Sequence, residues 1–376
     1  MAASVWFFFS LALLGALHVS AVSIRLLASL ALCLRRPKDL RHRYGAWAVV
    51  TGPTSGIGRS MSLELARRGL NLVLVGRDPA KLRDISETIS GAHAVQTKTV
   101  LFDFSLVSAA QGDEAMRRLR EAVAGLDVGL LVNNAGVAKP GAMYLHEADV
   151  EAWARMIRVN VLALTEVTAA VLPGMVRRGR GAVVNLGSGS ASVLPSFPLY
   201  SVYAATKRYV AEFSRSLAVE YGSSGIDVQC QVRVFGGRGR IHRVTTLASL
   251  CRVIRLPFDR VVHSCLQVPF LVETNMVSSA VKANLILQFV LTPDAYAYAA
   301  VRWIGHGRLC VPNVAHRFQG WYAGLFPDFV NDAFRLEKNR GQRAILRRVK
   351  PWRKSQSQGH SRVPIQDKGG VGVRSE

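Results

Sequence analysis

Short apolar runs alternate with amphipathic stretches through the middle of the chain. Runs typical of buried strands, Trp47–Thr51 and Leu70–Val75, flank Arg59–Arg68, where apolar residues recur at helical spacing. Three further strand-like runs follow at Leu126–Val132, Gly181–Leu186 and Ile226–Gln231. Strands that alternate with helices in this way predict an α/β fold built on a single doubly wound parallel sheet.

The amino terminus has a different pattern. Val5–Ile24 is an uncharged apolar run, long enough to cross the hydrocarbon core of a bilayer. No basic side chain precedes it, whereas Arg25 and Arg35 follow, so the positive-inside rule places the body in the cytosol. We therefore expect residues 1–40 to form a single-pass transmembrane anchor. The alternative is a signal peptide cleaved near Val19–Ala21.

Charge changes this picture little. The 376-residue chain has a formal net charge of +23, and most of the excess lies in two segments, 232–267 and 335–376. The rest of the body carries no zinc-finger, helix-turn-helix or ribonucleoprotein signature, so we expect no nucleic-acid partner. We expect 335–376 to be a basic, disordered tail. The five cysteines form no C-x-x-C pair, so no metal site is indicated.

A glycine-rich turn joins the first strand to the first helix. Its sequence is Gly52-Pro53-Thr54-Ser55-Gly56-Ile57-Gly58, and the unit around it is of Rossmann type. Such a turn lets the backbone approach a pyrophosphate at a helix N-terminus. The candidate cofactor-binding residues here are Gly52, Thr54, Ser55, Gly56, Ile57 and Gly58. After the second strand comes Arg77, which suits the 2′-phosphate of NADP and indicates NADPH, although Asp78 beside it weakens that indication.

Four more pieces follow in order on the predicted strands and helices. They are Asn133-Asn134-Ala135-Gly136, Asn160 within Arg158–Val161, Ser188 after a strand, and Tyr203-Ala204-Ala205-Thr206-Lys207. With the glycine-rich turn, this set resembles the short-chain dehydrogenase/reductase superfamily over residues 45–330. Within it, the chain looks like the plant very-long-chain 3-oxoacyl-CoA reductases, relatives of the 17-beta-hydroxysteroid dehydrogenase branch. The finer marks are Tyr44–Trp47, Leu63–Gly69, Leu199–Lys207, Phe213–Leu217 and Arg302–Gly305.

Tyr203 and Lys207 are four residues apart and share a helix face. A tyrosine is a weak acid at neutral pH, and a neighbouring ammonium lowers its pKa. Tyr203 could then protonate a ketone oxygen to which Ser188 donates a hydrogen bond. Ser188 lies fifteen residues before Tyr203, a longer interval than in many superfamily members, so Ser190 is kept as the alternative.

The resemblance implies further roles. Asn160 would hold a water that passes protons to Lys207, and Lys207 would also hold the nicotinamide ribose. Asn133, Ala135 and Gly136 would line the adenosine side. Pro269 and Thr274 would lie at the carboxamide group of the nicotinamide. Asp103, at a strand end, would accept a hydrogen bond from the adenine amino group, and it is also placed to cap the helical turn after it.

One segment does not fit. The strand Ile226–Gln231 should run into a Val-Pro segment, which appears only at Val268-Pro269. The 36 residues between, 232–267, hold seven arginines and one acidic residue. The segment opens with valine, whose codon begins GT, and closes with glutamine, whose codon can be CAG. It therefore has the ends of an in-frame retained intron. The alternative is a genuine irregular loop, although long loops of this kind are uncommon.

These features together predict an NADPH-dependent reductase of very-long-chain 3-oxoacyl-CoA. The resemblance implies residence in the endoplasmic reticulum membrane, a catalytic domain that faces the cytosol, and a role in microsomal fatty-acid elongation. The implied partners are an acyl-CoA substrate and the condensing enzyme, dehydratase and enoyl reductase. The alternatives are a 17-beta-hydroxysteroid-type dehydrogenase and a splice product that is catalytically impaired and has only binding roles.

Overall fold

The computed structural model shows how the alternating pattern folds. It describes residues 36–189, 195–233, 271–272, 290–307, 309–310 and 327–349, and residues 6–24 without 11, 14, 18 and 22. The strands are β1 (Trp47–Thr51), β2 (Asn71–Gly76), β3 (Thr97–Leu101), β4 (Val128–Asn133), β5 (Gly181–Ser188), β6 (Ile226–Arg233), β7 (Leu271–Val272), β8 (Val290–Leu291) and β9 (Leu309–Cys310). The helices are α1 (Leu40–Tyr44), α2 (Gly56–Arg67), α3 (Pro79–Ala92), α4 (Ala110–Val123), α5 (Val150–Ile157), α6 (Ala163–Arg178), α7 (Ser201–Glu220), α8 (Pro293–Arg302) and α9 (Asp328–Val349).

Seven strands form one sheet in the order β3-β2-β1-β4-β5-β6-β9, and every neighbouring pair is parallel. From β1 the chain winds outward to β2 and β3, then returns to place β4 on the other side of β1. The loops after β1 and β4 therefore diverge, which leaves the crevice at their carboxyl ends where ligands bind in such sheets. The predicted doubly wound α/β class is confirmed.

Strands β1, β2, β4 and β5 are buried, and because side chains alternate along a strand, each of them packs against both helical layers. In β1, Ala48 and Val50 pack on one side, whereas Trp47 and Val49 pack on the other. Helices α2, α3 and α8 cover the first face, and α4, α6 and α7 cover the second. The result is a three-layer body in which the carboxyl ends of the strands are left to the loops.

Apolar helices occur at two places. In the N-terminal helix Trp6–Ala21, the large apolar side chains among the described residues are exposed, with Trp6 at 72% and Phe9 at 68%. Among the described residues, only the continuous helix Val150–Arg178 is long and apolar enough to cross a membrane by length and composition. Half of its most apolar window is buried. That helix packs on β4 and β5, and its apolar character is explained by the core.

The body is longer at both ends than the expected 45–330. Leu40 and Tyr44 of α1 are buried, and the Tyr44 hydroxyl donates to the Asp227 carboxylate at 2.5 Å. At the other end, residues 335–349 belong to α9, so the expectation of a disordered tail from 335 is wrong for this stretch. Two arginines of α9, Arg343 and Arg347, bond to Glu147 in the body, which composition alone does not reveal. Residues 350–376 lie outside the described part.

A buried polar network joins β4, β5 and the helices behind them. The Asn133 amide donates to Asn185 Oδ1 at 2.8 Å and to Thr168 Oγ1 at 2.9 Å. The Asn185 amide donates in turn to Ser214 Oγ at 2.9 Å. Asn185 is fully buried, so its amide group has no water to replace these partners.

Replacing Asn185 with alanine should lower the free energy of unfolding by about 2–4 kcal/mol, because the buried Asn133 amide loses one of its two acceptors and the buried Ser214 hydroxyl loses its donor. Denaturant unfolding of the full chain in detergent measures this change. Gln111→Ala, at an exposed position of α4, is the control and should leave stability nearly unchanged. Equal stability of the two variants would contradict the structural role given to the network.

Candidate functional site

The turn between β1 and α2 is formed by glycines that cannot be replaced without distortion. Gly52 and Gly56 have φ of 65° and 54°, in the left-handed region. A Cβ on Gly58 would lie 2.1 Å from the Gly52 carbonyl oxygen and 2.3 Å from Asn134 Nδ2. The backbone of α2 thus starts in close contact with the end of β1, and its first turn opens onto the crevice.

Two polar side chains tie this turn to the end of β4. The Asn134 amide donates to the carbonyls of Thr51 and Gly52, both at 3.0 Å. The Thr51 hydroxyl accepts from the backbone N–H groups of Asn134 and Ala135, also at 3.0 Å. Sequence reasoning gave Thr51 and Asn134 no role. The available signal was that each ends or directly follows a buried strand beside the glycine-rich turn.

The N-terminus of α2 is available to a ligand. Ser55, at the N-cap position, is exposed and makes no side-chain capping bond. The first N–H groups of the helix therefore point to the crevice, in the arrangement that binds anions. Thr54 is half-buried in the turn, whereas Ile57 is 2% exposed and packs into the core. Ile57 supports the turn from below.

Arg77 and Asp78, the two residues after β2, make different contacts. Arg77 is exposed, directly after Gly76. Asp78 caps α3 by accepting from the Lys81 N–H at 3.1 Å, and it also pairs with the Lys81 ammonium at 2.7 Å. Asp78 is thus engaged away from Arg77. This arrangement removes the objection that a neighbouring carboxylate weakens an arginine site for a 2′-phosphate.

Asp103 stands after β3 on the same side. Its carboxylate accepts from the Ser105 N–H at 2.9 Å and from the Ser105 hydroxyl at 2.8 Å, so the expected capping role is observed. Burial acts to raise the pKa of Asp103, but the Ser105 hydrogen bonds and the charges of Arg77 and Arg155 hold that pKa below its usual range. The carboxylate is ionised at neutral pH and can accept a further hydrogen bond.

Asn133 is buried, whereas Ala135 is partly exposed. Asn133 gives its amide nitrogen to the buried network, and none of the described residues donates to its side-chain oxygen. A small cavity beside it is lined by Thr51, Phe104, Ala135 and Val159 among others. Asn133 is therefore buried beneath the crevice, and the backbone of the residues after it borders the crevice.

Asn160 lies in a wide π-helical turn, Arg158–Leu162, between α5 and α6. Its side chain accepts from the Val137 N–H at 2.8 Å and donates to the Val137 carbonyl at 2.9 Å. It also donates to the Thr206 hydroxyl at 3.1 Å. Asn160 thereby fixes the loop after Gly136 to helix α7, and π turns of this kind are common at functional sites.

Tyr203 and Lys207 lie one turn apart in α7, with 2% and 3% of their surface exposed. The Lys207 ammonium donates to the Leu186 carbonyl of β5 at 2.8 Å, and a Cβ on Gly136 would lie 3.6 Å from it. Ser188, at the end of the same strand, is fully buried. The structure therefore brings the ends of β4 and β5 to one face of α7.

Three predicted residues lie outside the described part of the chain. These are Pro269 and Thr274, expected at the carboxamide, and Ser190, the alternative to Ser188. Most of the 232–267 segment also lies outside it. Its first two residues, Val232 and Arg233, continue β6 and pair in register with Gly187 and Ser188.

The C-terminal helix α9 docks against the loop that precedes α7. Asp332 accepts from the Ser196 hydroxyl at 2.5 Å, Asn339 donates to the Pro198 carbonyl at 2.7 Å, and the Tyr200 hydroxyl donates to Gln342 at 3.0 Å. Tyr200 is only three residues before Tyr203. Burial raises the pKa of Tyr200 to about 12, with a smaller contribution from Tyr203. Tyr200 therefore joins α9 to the start of the helix that carries Tyr203.

A carboxylate on the facing loop holds the other end of α9. Glu147 receives a two-pronged hydrogen bond from the Arg343 guanidinium and a further one from Arg347 at 2.9 Å. The Arg343 guanidinium also lies 4.9 Å from the centre of the Tyr144 ring. The hydrogen bonds from Arg343 hold the pKa of Glu147 below its usual range, against the opposing effect of partial burial.

These features fit a bound dinucleotide. The crevice has a glycine turn with no room for side chains, a helix N-terminus free of a side-chain cap, an exposed arginine after β2 and an ionised carboxylate after β3. Next to it lie a phenol, an ammonium and a hydroxyl on converging elements. Such a set can bind a nucleotide and transfer a proton to a ligand oxygen.

Comparison with known proteins agrees with this geometry. The family model described as short chain dehydrogenase matches residues 46–232. A protein of Arabidopsis thaliana named very-long-chain 3-oxoacyl-CoA reductase-like is 40% identical over 83% of this chain and 86% of its own length. A human protein named inactive hydroxysteroid dehydrogenase-like protein 1 is 31% identical, over 85% and 87%. A solved short-chain dehydrogenase from Sphingobium yanoikuyae in complex with NADPH has a TM-score of 0.54 and 25% identity, over 74% and 93%.

Glu147→Gln should loosen α9, because the neutral amide loses the charge-assisted bonds to Arg343 and Arg347. Amide hydrogen exchange in 328–349 should become faster, while exchange in β1 and β4 stays unchanged. In the unaltered chain the same loosening should appear as pH falls through the lowered pKa of Glu147, because this stabilisation is complete only above the ordinary carboxyl pKa of about 4.

The control is Glu337→Gln, which removes an exposed carboxylate of α9 that pairs with Arg340 at 3.9 Å. This variant should exchange as the unaltered chain does. Unchanged exchange in Glu147→Gln would mean that α9 is held by other contacts.

Proposed function

This chain belongs to the short-chain dehydrogenase family, and we propose that it uses NADPH to reduce the 3-oxo group of very-long-chain 3-oxoacyl-CoA. The observation that carries the proposal is the position of Lys207. Its ammonium lies between the Leu186 carbonyl of β5 and Gly136 after β4, one helical turn from Tyr203. A buried lysine one helical turn from a buried tyrosine is suited to proton transfer at a carbonyl.

The residues of the crevice would hold NADPH. Gly52, Gly56 and Gly58 with the N-terminus of α2 would take the pyrophosphate, and Arg77 would pair with the 2′-phosphate. Asp103, Ala135 and Gly136 would line the adenosine side, and Lys207 would hold the nicotinamide ribose. When bound, NADPH supplies the hydride for the reduction.

The protein's own groups would manage the proton and the developing charge. Tyr203 would donate its phenolic proton to the ketone oxygen, with the Lys207 ammonium one helical turn away. Ser188 would donate a hydrogen bond to the same oxygen. Asn160 would act through position, because its bonds to Val137 and Thr206 fix the distance between the end of β4 and α7.

The substrate class and location rest on the relatives and on the N-terminus. The Arabidopsis protein's name supports a 3-oxoacyl-CoA substrate. We propose that the exposed apolar helix Trp6–Ala21 anchors the chain in the endoplasmic reticulum membrane, where a very long acyl chain partitions, with the body in the cytosol. The partners would then be the condensing enzyme, dehydratase and enoyl reductase of fatty-acid elongation.

Tyr203→Phe should reduce turnover of a long-chain 3-oxoacyl-CoA by a factor of about 1,000 or more, because the proton donor is lost, while NADPH affinity changes little. NADPH consumption by membranes that carry the chain, and cofactor fluorescence on binding, measure the two effects. The control is Tyr209→Phe on the same helix, where the hydroxyl bonds to Thr165. Near-normal turnover in Tyr203→Phe would show that another group is the acid. Reduction of a 17-ketosteroid to its 17-beta-hydroxysteroid in place of the acyl substrate would favour the steroid alternative.

Removal of residues 232–267 joins Gln231 directly to Val268, so a valine still follows Gln231 at the end of β6. If the segment is a retained intron, the shortened chain should consume NADPH with the acyl-CoA substrate at least ten times faster than the full chain, because Pro269 and Thr274 then follow β6 directly. The two chains are compared in the same membrane assay. Equal rates would identify the segment as a tolerated loop, and comparison of genomic with transcript sequence checks the intron independently.

A further inference from the structure

Helix α9 places one arginine on the face that contacts the loop before Tyr203. Asp332, Asn339 and Gln342 bond to Ser196, the Pro198 carbonyl and Tyr200, respectively. Position 335 lies one turn from 332 and one turn from 339, so Arg335 shares their helix face. Arg335 is 6% exposed, which agrees with this placement.

The environment of Arg335 is unusual for a cation. Burial lowers the pKa of Arg335 to about 10, and no carboxylate acts against this effect. Within the described residues, its guanidinium has no hydrogen bond and no ion pair, although a guanidinium carries five N–H donors. Asp332, one turn away on the same face, bonds to Ser196, and Glu147 bonds to Arg343 and Arg347 further along α9.

A buried cation without a counter-charge is unfavourable unless a ligand completes its surroundings. The guanidinium fork matches the oxygens of a phosphate or carboxylate in a two-pronged hydrogen bond. In the substrate proposed above, the acyl chain and ketone are uncharged, and the phosphates of coenzyme A carry all of the negative charge. The anion available to Arg335 is therefore a phosphate of the coenzyme A part.

We propose that Arg335 binds a phosphate group of the coenzyme A part of the substrate, at the contact between α9 and the loop 195–200. This inference rests on the proposed function, because it takes acyl-CoA as the substrate. It assigns α9 to substrate recognition, with Tyr200 and Glu147 as the residues that hold the helix in place. The NADPH phosphates bind elsewhere, at α2 and Arg77.

Arg335→Gln in the full chain tests the proposal by equilibrium binding of coenzyme A, followed by intrinsic tryptophan fluorescence in detergent. Loss of a hydrogen-bonded charge pair should weaken coenzyme A binding by a factor of roughly 10–100. Pantetheine, which has no phosphate, should bind equally to both chains. NADPH affinity should also stay unchanged. Because the variant removes an uncompensated buried charge, its thermal stability should equal or exceed that of the unaltered chain.

The matched control is Arg340→Gln on the same helix, where the guanidinium is exposed and pairs only weakly with Glu337 at 3.9 Å. This variant should bind coenzyme A as the unaltered chain does. The proposal is overturned if Arg335→Gln retains full coenzyme A affinity, or if it loses affinity for pantetheine or NADPH to the same extent. Absence of any coenzyme A binding in the unaltered chain also overturns it.

The reductase proposal and the phosphate-site proposal can be refuted independently of each other. If the unaltered chain binds coenzyme A through Arg335 but does not consume NADPH with a 3-oxoacyl-CoA, the reductase proposal is contradicted, while the phosphate site stands. If it reduces the acyl-CoA and Arg335→Gln does so with an unchanged KM, the reductase proposal stands and the phosphate site is wrong.

Discussion

The rest of the site depends on the close approach of two backbone segments, the start of α2 and the end of β1. A side chain at Gly58 would overlap the Gly52 carbonyl, so this contact exists only with glycine. Asn134 reaches across to the same carbonyl and thereby fixes the end of β4 to the turn. From there, hydrogen bonds of the Asn160 side chain connect the end of β4 to α7. Gly136 and Val137 follow Asn134, Asn160 holds Val137, and Thr206 holds Asn160 beside Lys207.

This chain of contacts explains why the wide turn at Asn160 is needed. In a regular α-helix from 150 to 178, the direction of the residue 160 side chain would be set by the repeat of 3.6 residues per turn. The π-helical turn inserts additional backbone there and allows one side chain to bond both backbone groups of Val137 and also Thr206. The same helix must be apolar elsewhere, because it covers the sheet. Its resemblance to a membrane span in composition is a consequence of this burial.

Much of the fold, and those parts of the candidate site that depend on neighbouring residues, could be predicted from the sequence. The glycine turn, the strand ends and the Tyr203–Lys207 spacing are local features, and the structure places each where the pattern predicts it. Features that depend on distant partners could not be predicted. Basic residues suggested a disordered tail, but Glu147 and the loop 195–200, far away in sequence, hold α9. Likewise the amide of Asn133, expected at the adenosine side, bonds to Asn185, fifty-two positions later.

The end of β6 shows why an insertion there leaves the sheet intact. Parallel pairing uses backbone groups, so Val232 and Arg233 extend β6 beside Gly187 and Ser188 whatever residues follow them. The valine at 268, after an identical glutamine, could occupy the same place in the ladder. Strands β1 to β5 and the glycine-rich turn all precede residues 232–267 in the sequence. We therefore expect any functional effect of 232–267 at the nicotinamide end of the crevice, because the segment separates Pro269 and Thr274 from β6.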